Sequence, residues 1–355
     1  MDVLAIYACF LLAVTTVGSL VLFRFRRSLL SYLVVAAVYT LAFIWVAFQL
    51  GRDIFDSLSM TCIGLFAGGS YFLIFSAMIA WNRFRKVAVF FLALAFMLDA
   101  VALDAFVIEP RSFDVTEYHV CTDKLARPVK FVVLADIQTD DVGPFEKIVL
   151  TRAMQEKPDA IFLVGDYIHA FPSCRAEQIE RLRKLMKETG LQAPLGVYAT
   201  RGDSEDDAWT AIFKDLPVKV FPRSGTVGND VFTVTGLTLG DSFKLNYRPP
   251  RVDGLHIMIG HRPDFALSHP DCDLMIAGHT HGGQVQIPFF GPVLTFSLVP
   301  RQWAAGGLIH VPGNHGGEAG ERLIISRGIG MERGYAPRLR FLCRPELVVI
   351  TMVPE

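Results

Sequence analysis

The sequence predicts an α/β domain that follows four membrane-spanning helices. Hydrophobic residues make up 52% of the 355 residues and charged residues only 19%, whereas a soluble globular chain has about 25% charged residues. Residues 1–110 hold 13 of the 69 Asp, Glu, Lys and Arg residues, and all nine His lie after position 118. Beyond residue 130, apolar runs of strand length alternate with helix-like segments. We therefore expect a transmembrane domain over residues 1–110 and a globular domain over residues 111–355.

The first 110 residues contain apolar runs of membrane-spanning length. Residues 3–23, 29–50 and 58–81 carry no charged side chain, and a fourth run begins at Val87 and reaches Asp99 and Asp104 before Pro110. About 20 apolar residues span a bilayer core, whereas a signal peptide has one shorter apolar core and a cleavage site. Four spans are predicted, with Asp99 and Asp104 near the exit of the fourth.

Basic residues are concentrated in two of the three connections between these spans. The first and third connections hold six of them: Arg24, Arg26, Arg27, Arg83, Arg85 and Lys86. The second holds Arg52 together with Asp53 and Asp56. Since short cytoplasmic loops are enriched in Lys and Arg, the pattern predicts a multi-pass protein of the cell membrane with an exoplasmic globular domain. The net charge of −1 gives no basic excess, so no nucleic-acid partner is expected.

Side chains that can bind metals follow five predicted strands of the globular domain. The strands are predicted at 130–135, 160–164, 197–200, 256–259 and 274–277, and helices at 145–157 after Pro144 and at 175–189. The side chains that follow the strands are Asp136, Asp166, Asp203, His261, His279 and His281. Because ligands bind at the carboxyl ends of strands in α/β sheets, we expect these groups to converge. Carboxylates mixed with imidazoles suit divalent transition metals, and their number favours two ions.

The motifs taken in order resemble the calcineurin-like metallophosphoesterases, in particular their membrane-associated bacterial branch. They are Asp136-x-Gln138, GD at 165–166, GD at 202–203, GH at 260–261 and GHTHGGQ at 278–284. The segments IISRGIG (324–330), RPELVVITM (344–352) and DAFVIEP (104–110) are also similar to parts of that branch.

The resemblance implies an αββα sandwich with two divalent metal ions at the strand ends. It places Asp136, Gln138 and His281 on the first ion, and Mn²⁺, Zn²⁺ and Fe are all compatible with these ligand types. The second ion would take the remaining three ligands: Asp203, His261 and His279. Asp166 would bridge the two ions.

Three positions depart from the family pattern. Gln138 stands where the family usually has His, and an amide oxygen is a neutral, weaker ligand. Asp203 and Ser204 stand where the family usually has Asn and His, so the imidazole that assists the transition state or protonates the leaving group is missing at 204. His169, three residues after Asp166, is a candidate replacement acid; the alternative is a hydrogen bond to a metal-binding carboxylate. A literal Gly-Asn-His at 313–315 lies out of family order, and we expect no catalytic role for it.

These observations predict a membrane-anchored, dinuclear metal-dependent phosphoesterase. Tethering to a bilayer raises the effective concentration of lipids, which favours a phosphorylated, lipid-linked ester or diphosphate such as a phospholipid. An alternative is a catalytically degenerate fold that acts as a membrane binding or regulatory module. UDP-2,3-diacylglucosamine is the alternative substrate if the domain is cytoplasmic. The apolar run at 288–296 is interpreted either as ordinary loop packing or as an apolar wall for an acyl chain.

Overall fold

The computed structural model describes residues 3–26, 28–312 and 321–355. The chain divides into two compact units. One comprises the residues up to Val107 together with Tyr335–Arg338, and the other comprises Ile108–Gly334 and Leu339–Glu355. The Gly-Asn-His motif at 313–315 lies outside the described residues.

The first unit is helical, as the apolar runs predict. Its helices are α1 (Val3–Arg24), α2 (Leu29–Leu50), α3 (Ile54–Ile63), α4 (Gly69–Ala80) and α5 (Arg85–Leu103). A π-helical turn, Gly64–Gly68, joins α3 to α4, and the turns Asp104–Ile108 and Glu109–Arg111 extend α5. Within the described residues four helices are long and apolar enough to cross a membrane: Val3–Arg24, Leu29–Leu50, Ile54–Ala80 and Arg85–Arg111. The four predicted spans are therefore present as candidate membrane helices.

Aromatic side chains pack inside this helical unit. The rings of Tyr39 and Phe72 stack with their centroids 4.6 Å apart, and the Tyr7 hydroxyl donates to the Phe43 carbonyl at 3.1 Å. A Cβ at Gly64 would lie 2.6 Å from the Tyr7 hydroxyl, so glycine permits this close approach. Large apolar side chains such as Leu12 and Phe96 point outward and are exposed, which is the reverse of a water-soluble bundle and fits a lipid surround.

The described strands of the second unit are numbered in chain order. They are β1 (Asp114–Thr122), β2 (Val129–Leu134), β3 (Ala160–Val164), β4 (Val197–Thr200), β5 (Val218–Val220), β6 (Gly225–Gly228), β7 (Phe232–Gly236), β8 (Leu255–Ile259), β9 (Leu274–Ala277), β10 (Gln286–Ile287), β11 (Gly291–Pro292), β12 (Gly307–Val311), β13 (Glu321–Ile325) and β14 (Glu346–Pro354). The first sheet has the order β1-β14-β2-β3-β4-β5, and the second has the order β12-β13-β9-β8-β7-β6. β10 and β11 form a separate antiparallel pair.

Both six-stranded sheets are mixed. In the first, β2, β3 and β4 run parallel, β14 is antiparallel to β2, and β1 is parallel to β14 over the register from Asp114–Glu346 to Thr122–Pro354. In the second, β7, β8, β9 and β13 run parallel, with antiparallel β6 and β12 at the two sides. The carboxyl ends of the central parallel strands therefore share one edge in each sheet.

The sheets pack face to face and helices cover their outer faces. The shared core includes Phe131, Phe162, Phe232 and Ile257. Helices α6 (Pro144–Gln155) and α7 (Pro172–Glu188) pack on the first sheet through side chains such as Leu182. On the second sheet lie short helical segments: Pro263–Ser268, α8 (Leu239–Ser242) and α9 (Arg301–Ala304). This arrangement confirms the predicted αββα sandwich.

The element predictions agree closely with the observed bounds. The predicted strands at 160–164, 197–200 and 274–277 coincide with β3, β4 and β9. The helix predicted at 175–189 begins earlier, at Pro172, because proline suits the first turn of a helix. The five predicted strands divide between the two sheets, with β2, β3 and β4 in one and β8 and β9 in the other.

Candidate metal centre

The six carboxylate and imidazole side chains predicted from the strand ends gather in two adjacent groups. Asp136, Asp166 and His281 form the first group, and Asp203, His261 and His279 form the second. Within each group one ligand atom per residue lies within 4.8 Å of the others. The structure therefore brings together every Asp and His that the motifs singled out.

His261 is oriented by a backbone carbonyl. Its Nδ1 donates to the Val164 carbonyl at 2.8 Å, which leaves the lone pair of Nε2 free. Nε2 lies 3.5 Å from Asp166 Oδ2 and 3.6 Å from Asp203 Oδ2 and, in the described part of the chain, has no hydrogen-bond partner. A fully buried acceptor placed between two carboxylates in this way is suited to a shared cation.

Gln138 is oriented by a carboxylate that the sequence did not single out. Glu332 accepts a hydrogen bond from Gln138 Nε2 at 3.2 Å and contacts His169 Nδ1 at 3.1 Å. Because a flipped amide would turn its oxygen toward this carboxylate, Glu332 fixes Oε1 on the other side. Gln138 Oε1 is buried and, among the described residues, has no partner.

Buried acceptor atoms without partners are the observation that tests whether these residues fit a metal. Gln138 Oε1, His261 Nε2 and His281 Nδ1 all have this property within the described chain. A buried polar group left unpaired costs about 1–3 kcal/mol, so these three atoms need an explanation. Oxygen and nitrogen lone pairs beside three carboxylates are the donor set that divalent transition metals prefer, and the residues fit such ions.

His279 is held from both sides of its ring. Its Nε2 contacts the Phe296 carbonyl at 3.1 Å, and Nδ1 lies 2.8 Å from Asp203 Oδ2. The backbone N–H of His279 also donates to both carboxylate oxygens of Asp136, at 3.0 and 3.1 Å. One residue thus joins the two groups: its ring faces the second and its backbone binds the first.

The backbone is strained at the proposed ligands. Positive φ angles occur at five of them: Asp136 (49°), Gln138 (34°), Asp166 (53°), His279 (71°) and His281 (49°). Left-handed geometry costs a residue other than glycine on the order of 1–3 kcal/mol when it is strained, and it persists only where surrounding contacts hold it. The concentration of strain marks this edge of the sandwich as functional.

Two glycines allow the loops to meet at the centre. A Cβ at Gly202 would lie 2.1 Å from Asp166 Oδ1, and a Cβ at Gly278 would lie 2.6 Å from Asp136 Oδ2. Any side chain at these positions would displace a proposed ligand. Steric crowding therefore explains why glycine precedes the aspartate and the histidine at these two positions.

Glu205 is a residue of the site that the sequence analysis did not select. Its buried carboxylate accepts from the backbone N–H groups of Asp166 (3.0 Å), Tyr167 (2.6 Å) and Gly202 (2.9 Å). Burial raises the pKa of Glu205, and the charge of Asp166 raises it further. The carboxylate fixes the loop after β3 to the loop after β4, which together carry Asp166 and Asp203.

Ser204, at the position of the missing family His, and His169, the candidate replacement acid, lie in different surroundings. The Ser204 hydroxyl donates to Glu205 Oε1 at 2.9 Å, and its N–H donates to Asp166 Oδ1 at 2.8 Å. His169 is partly exposed, and its Nδ1 lies 3.1 Å from Glu332 Oε1 and 3.1 Å from Gln138 Nε2. His169 thus sits beside Gln138 with a carboxylate behind its ring, whereas the Ser204 hydroxyl is used within its own loop.

Charge crowding shifts the pKa values of the buried groups. Burial raises the pKa of Asp136, and the nearby Asp166 carboxylate adds to the increase. Burial alone would lower the pKa of His261, but the carboxylates of Asp166, Asp203 and Asp136 outweigh it and raise that pKa. Burial lowers the pKa of His281 and keeps its imidazole neutral. The carboxylates therefore require positive charge, which protons or metal ions can supply.

Two groups of metal-compatible side chains at one edge of a two-sheet αββα sandwich are typical of metal-dependent phosphoester hydrolases. Residues 129–283 match the family model of the calcineurin-like phosphoesterases. The match confirms the family resemblance, the fold and the enzyme class predicted from the motifs.

Curated relatives extend beyond the residues of the family model. An uncharacterized metallophosphoesterase, YkuE, of Bacillus subtilis (strain 168) is 28% identical over 272 residues, which cover 69% of this chain and 87% of the relative. The phosphodiesterase YaeI of Escherichia coli (strain K12) is 27% identical over 263 residues, covering 69% and 90%. The UDP-2,3-diacylglucosamine pyrophosphatase LpxG of Chlamydia trachomatis (serovar D) is 23% identical over 297 residues, covering 64% and 84%.

Proposed function

We propose that this protein is a membrane-anchored phosphoesterase with two metal ions that hydrolyses a phosphate ester or diphosphate of a lipid-linked substrate. The observation that carries the proposal is the pair of buried acceptors without partners among the described residues, His261 Nε2 and His281 Nδ1, in groups with three carboxylates. Gln138 Oε1, two residues after Asp136, is a further buried acceptor of this kind. None of the three has a hydrogen-bond partner among the described residues.

The contacts support one distribution of the ligands. Asp136, Gln138 and His281 would hold one ion. The other ion would be held by the second group: Asp203, His261 and His279. Asp166 would bridge, because it belongs to the first group and its Oδ2 also lies 3.5 Å from His261 Nε2 of the second. Bound Mn²⁺, Zn²⁺ or Fe would supply a water of lowered pKa and stabilise charge on the phosphoryl oxygens.

The leaving group needs a proton, and we assign His169 as the proton donor. Its Nδ1 lies 3.1 Å from Glu332 Oε1, and this contact orients the ring. Ser204 would not replace the missing family His, since its hydroxyl donates to Glu205. His169 thus donates the proton while Ser204 and Glu205 hold the position of Asp166.

The lipid-linked substrate is inferred from the anchor and from one relative. Four candidate spans would keep the domain at a bilayer, which raises the effective concentration of lipid substrates. LpxG is named for hydrolysis of UDP-2,3-diacylglucosamine, a lipid-linked diphosphate. The Lys/Arg bias favours an exoplasmic domain and hence another lipid; UDP-2,3-diacylglucosamine is the alternative for a cytoplasmic domain.

Turnover by the full-length chain in detergent tests the proposal. The purified protein is stripped of metal, loaded with Mn²⁺ and assayed on bis(4-nitrophenyl) phosphate and on a diphosphate-bearing lipid, with metal content measured in parallel. We expect hydrolysis that depends on Mn²⁺ and is abolished in Asp166→Asn. Hydrolysis that survives in Asp166→Asn would contradict the assignment of the site.

The second candidate function is a degenerate phosphoesterase fold that binds a membrane ligand without turnover. It is favoured by Ser204, which stands at the family's acid position and donates its hydroxyl to Glu205. Binding of two ions without hydrolysis of either substrate would support this module and reject the enzyme.

A further inference from the structure

Exposed apolar side chains of the second unit are concentrated in one short segment. Thirteen large apolar side chains described after residue 111 are exposed, and seven of them lie at 287–298. We name residues 287–298 the apolar segment. The seven side chains are Ile287, Phe289, Phe290, Val293, Leu294, Phe296 and Leu298. Such a concentration on a water-facing surface is costly and marks an interaction site.

The tip of the apolar segment projects from the domain. It contains the turn of the antiparallel pair β10–β11, and Phe289 at the turn has a φ of 68° and a relative exposure of 111%. Phe290, next to it, is 54% exposed. Side chains as exposed as these two can enter a continuous apolar medium.

The charge distribution around the apolar segment is that of an interfacial anchor. No charged residue occurs from Gly282 to Pro300, and Arg301 follows directly. Arg301 is exposed, and its guanidinium carbon lies 4.1 Å from the centroid of the Phe290 ring. An arginine above an exposed aromatic ring can bind a lipid phosphate while the ring enters the acyl boundary.

The apolar segment is attached directly to the metal centre. The Phe296 carbonyl is contacted by His279 Nε2 at 3.1 Å and accepts from Arg262 Nη2. Asp264 accepts from Leu298 N–H at 2.7 Å, which fixes the end of the segment. A surface that binds the apolar segment would therefore also affect the position of His279, a proposed ligand.

We propose that the apolar segment inserts Phe289 and Phe290 into the bilayer surface that anchors the protein, with Arg301 at the anionic headgroups. The metal centre then faces the depth at which lipid phosphates lie. This inference rests on the membrane anchoring in the proposed function and adds the element that orients the site. A bilayer suits the apolar segment better than a second protein copy does, because the segment has an uncharged, projecting tip and is followed by the basic Arg301.

The experiment places a tryptophan at the tip and asks whether lipid reaches it. Full-length Phe289→Trp is reconstituted in vesicles of phosphatidylcholine and phosphatidylglycerol, with brominated or ordinary acyl chains. Emission of the parent chain, with its own four Trp, is subtracted. The matched control is Ile148→Trp, an exposed apolar position on α6.

We expect the emission added at position 289 to be lost in brominated vesicles and kept in ordinary ones, while the emission added at 148 is the same in both. Equal emission of Phe289→Trp in both vesicles would overturn the proposal and assign the segment to a protein partner or a second copy. Turnover of bis(4-nitrophenyl) phosphate is recorded in the same samples. Turnover without quenching rejects only the insertion, and quenching without turnover rejects only the proposed enzyme activity.

Discussion

Asp166 lies where the two groups of the candidate metal centre meet. It lies with Asp136 and His281 in one group and 3.5 Å from His261 Nε2 in the other. Asp166→Ala should therefore release most of the metal, and elemental analysis of the purified variant measures the loss. The matched control is Asp141→Ala, which removes an exposed carboxylate paired only with Arg181 in the described contacts. Retention of two ions per chain by Asp166→Ala would show that the bridging assignment is wrong.

The proton donor can be identified by comparing leaving groups. His169→Ala should slow hydrolysis by about 10²-fold or more for esters with poor leaving groups, since general acid catalysis contributes roughly 10²–10⁴-fold. Nitrophenyl esters should be little affected, because nitrophenolate departs without a proton.

Ser204→His is the companion variant. It should change the rate little if His169 supplies the proton, and raise it for poor leaving groups if no residue does. Metal content is measured for both variants, because His169 contacts Gln138 and Ser204 contacts Asp166. Rates near those of the parent for His169→Ala on a poor-leaving-group ester would reject its role.

At the scale of elements, the meeting of two loops at Gly202 limits what the site tolerates. A Cβ there would lie 2.1 Å from Asp166 Oδ1 and 2.2 Å from Asp166 N. Gly202→Ala should displace Asp166, reduce metal content and destabilise the domain by about 1–3 kcal/mol, the usual cost of overpacking. Thermal unfolding and metal analysis measure both effects. Gly240→Ala is the control, since nothing lies within 4 Å of its added Cβ; equal behaviour of the two variants would contradict the steric argument.

The elements that the sequence predicted well are those whose cause is local. β3, β4 and β9 are continuous apolar runs buried at every residue, and a glycine beside a ligand can be recognised within a few positions. β1 was not predicted, because Asp114–Thr122 contains many polar residues and most of its residues are at least partly exposed. Its pairing partner β14 also lies more than 200 residues away in the sequence.

The supporting residues of the site could not be predicted from local pattern. Glu205 acts on Asp166, 39 residues earlier, and Glu332 acts on Gln138 across 194 residues. A carboxylate has the same sequence signature whether it holds a loop or lies in solvent. The candidate ligands could be selected from the sequence because each follows a strand, whereas these two carboxylates are defined only by the packed loops.

At the scale of the whole molecule, bound metal should contribute to stability. Three carboxylates converge at the site, and Asp136 and Asp166 are buried. Ions that bind the folded state at a concentration of 100 Kd stabilise it by about 2.7 kcal/mol. Chelation should therefore lower the Tm of the parent chain in a thermal scan and leave that of Asp166→Ala nearly unchanged. An equal decrease in both would assign the stabilising ion to another site.

The orientation of the catalytic domain is a separate prediction from the basic connections. An alkaline phosphatase fused after Glu355 should be active, and a green fluorescent protein at the same point should be dark, as for an exoplasmic end. The signal depends on few residues, among them Arg24 and Arg83. The reverse pattern would place the domain in the cytoplasm and favour UDP-2,3-diacylglucosamine as the substrate.

The position of β14 has a consequence for biosynthesis. This strand, Glu346–Pro354, lies inside the first sheet between β1 and β2. Until residues 346–354 leave the ribosome, β1 has no place in the sheet and β2 keeps an open edge, and such edges pair readily with other chains. The nascent domain must therefore remain partly assembled until residues 346–354 have been synthesised. Premature termination or slow translation near residue 346 would turn an enzyme precursor into an aggregation-prone intermediate and a substrate for chaperones.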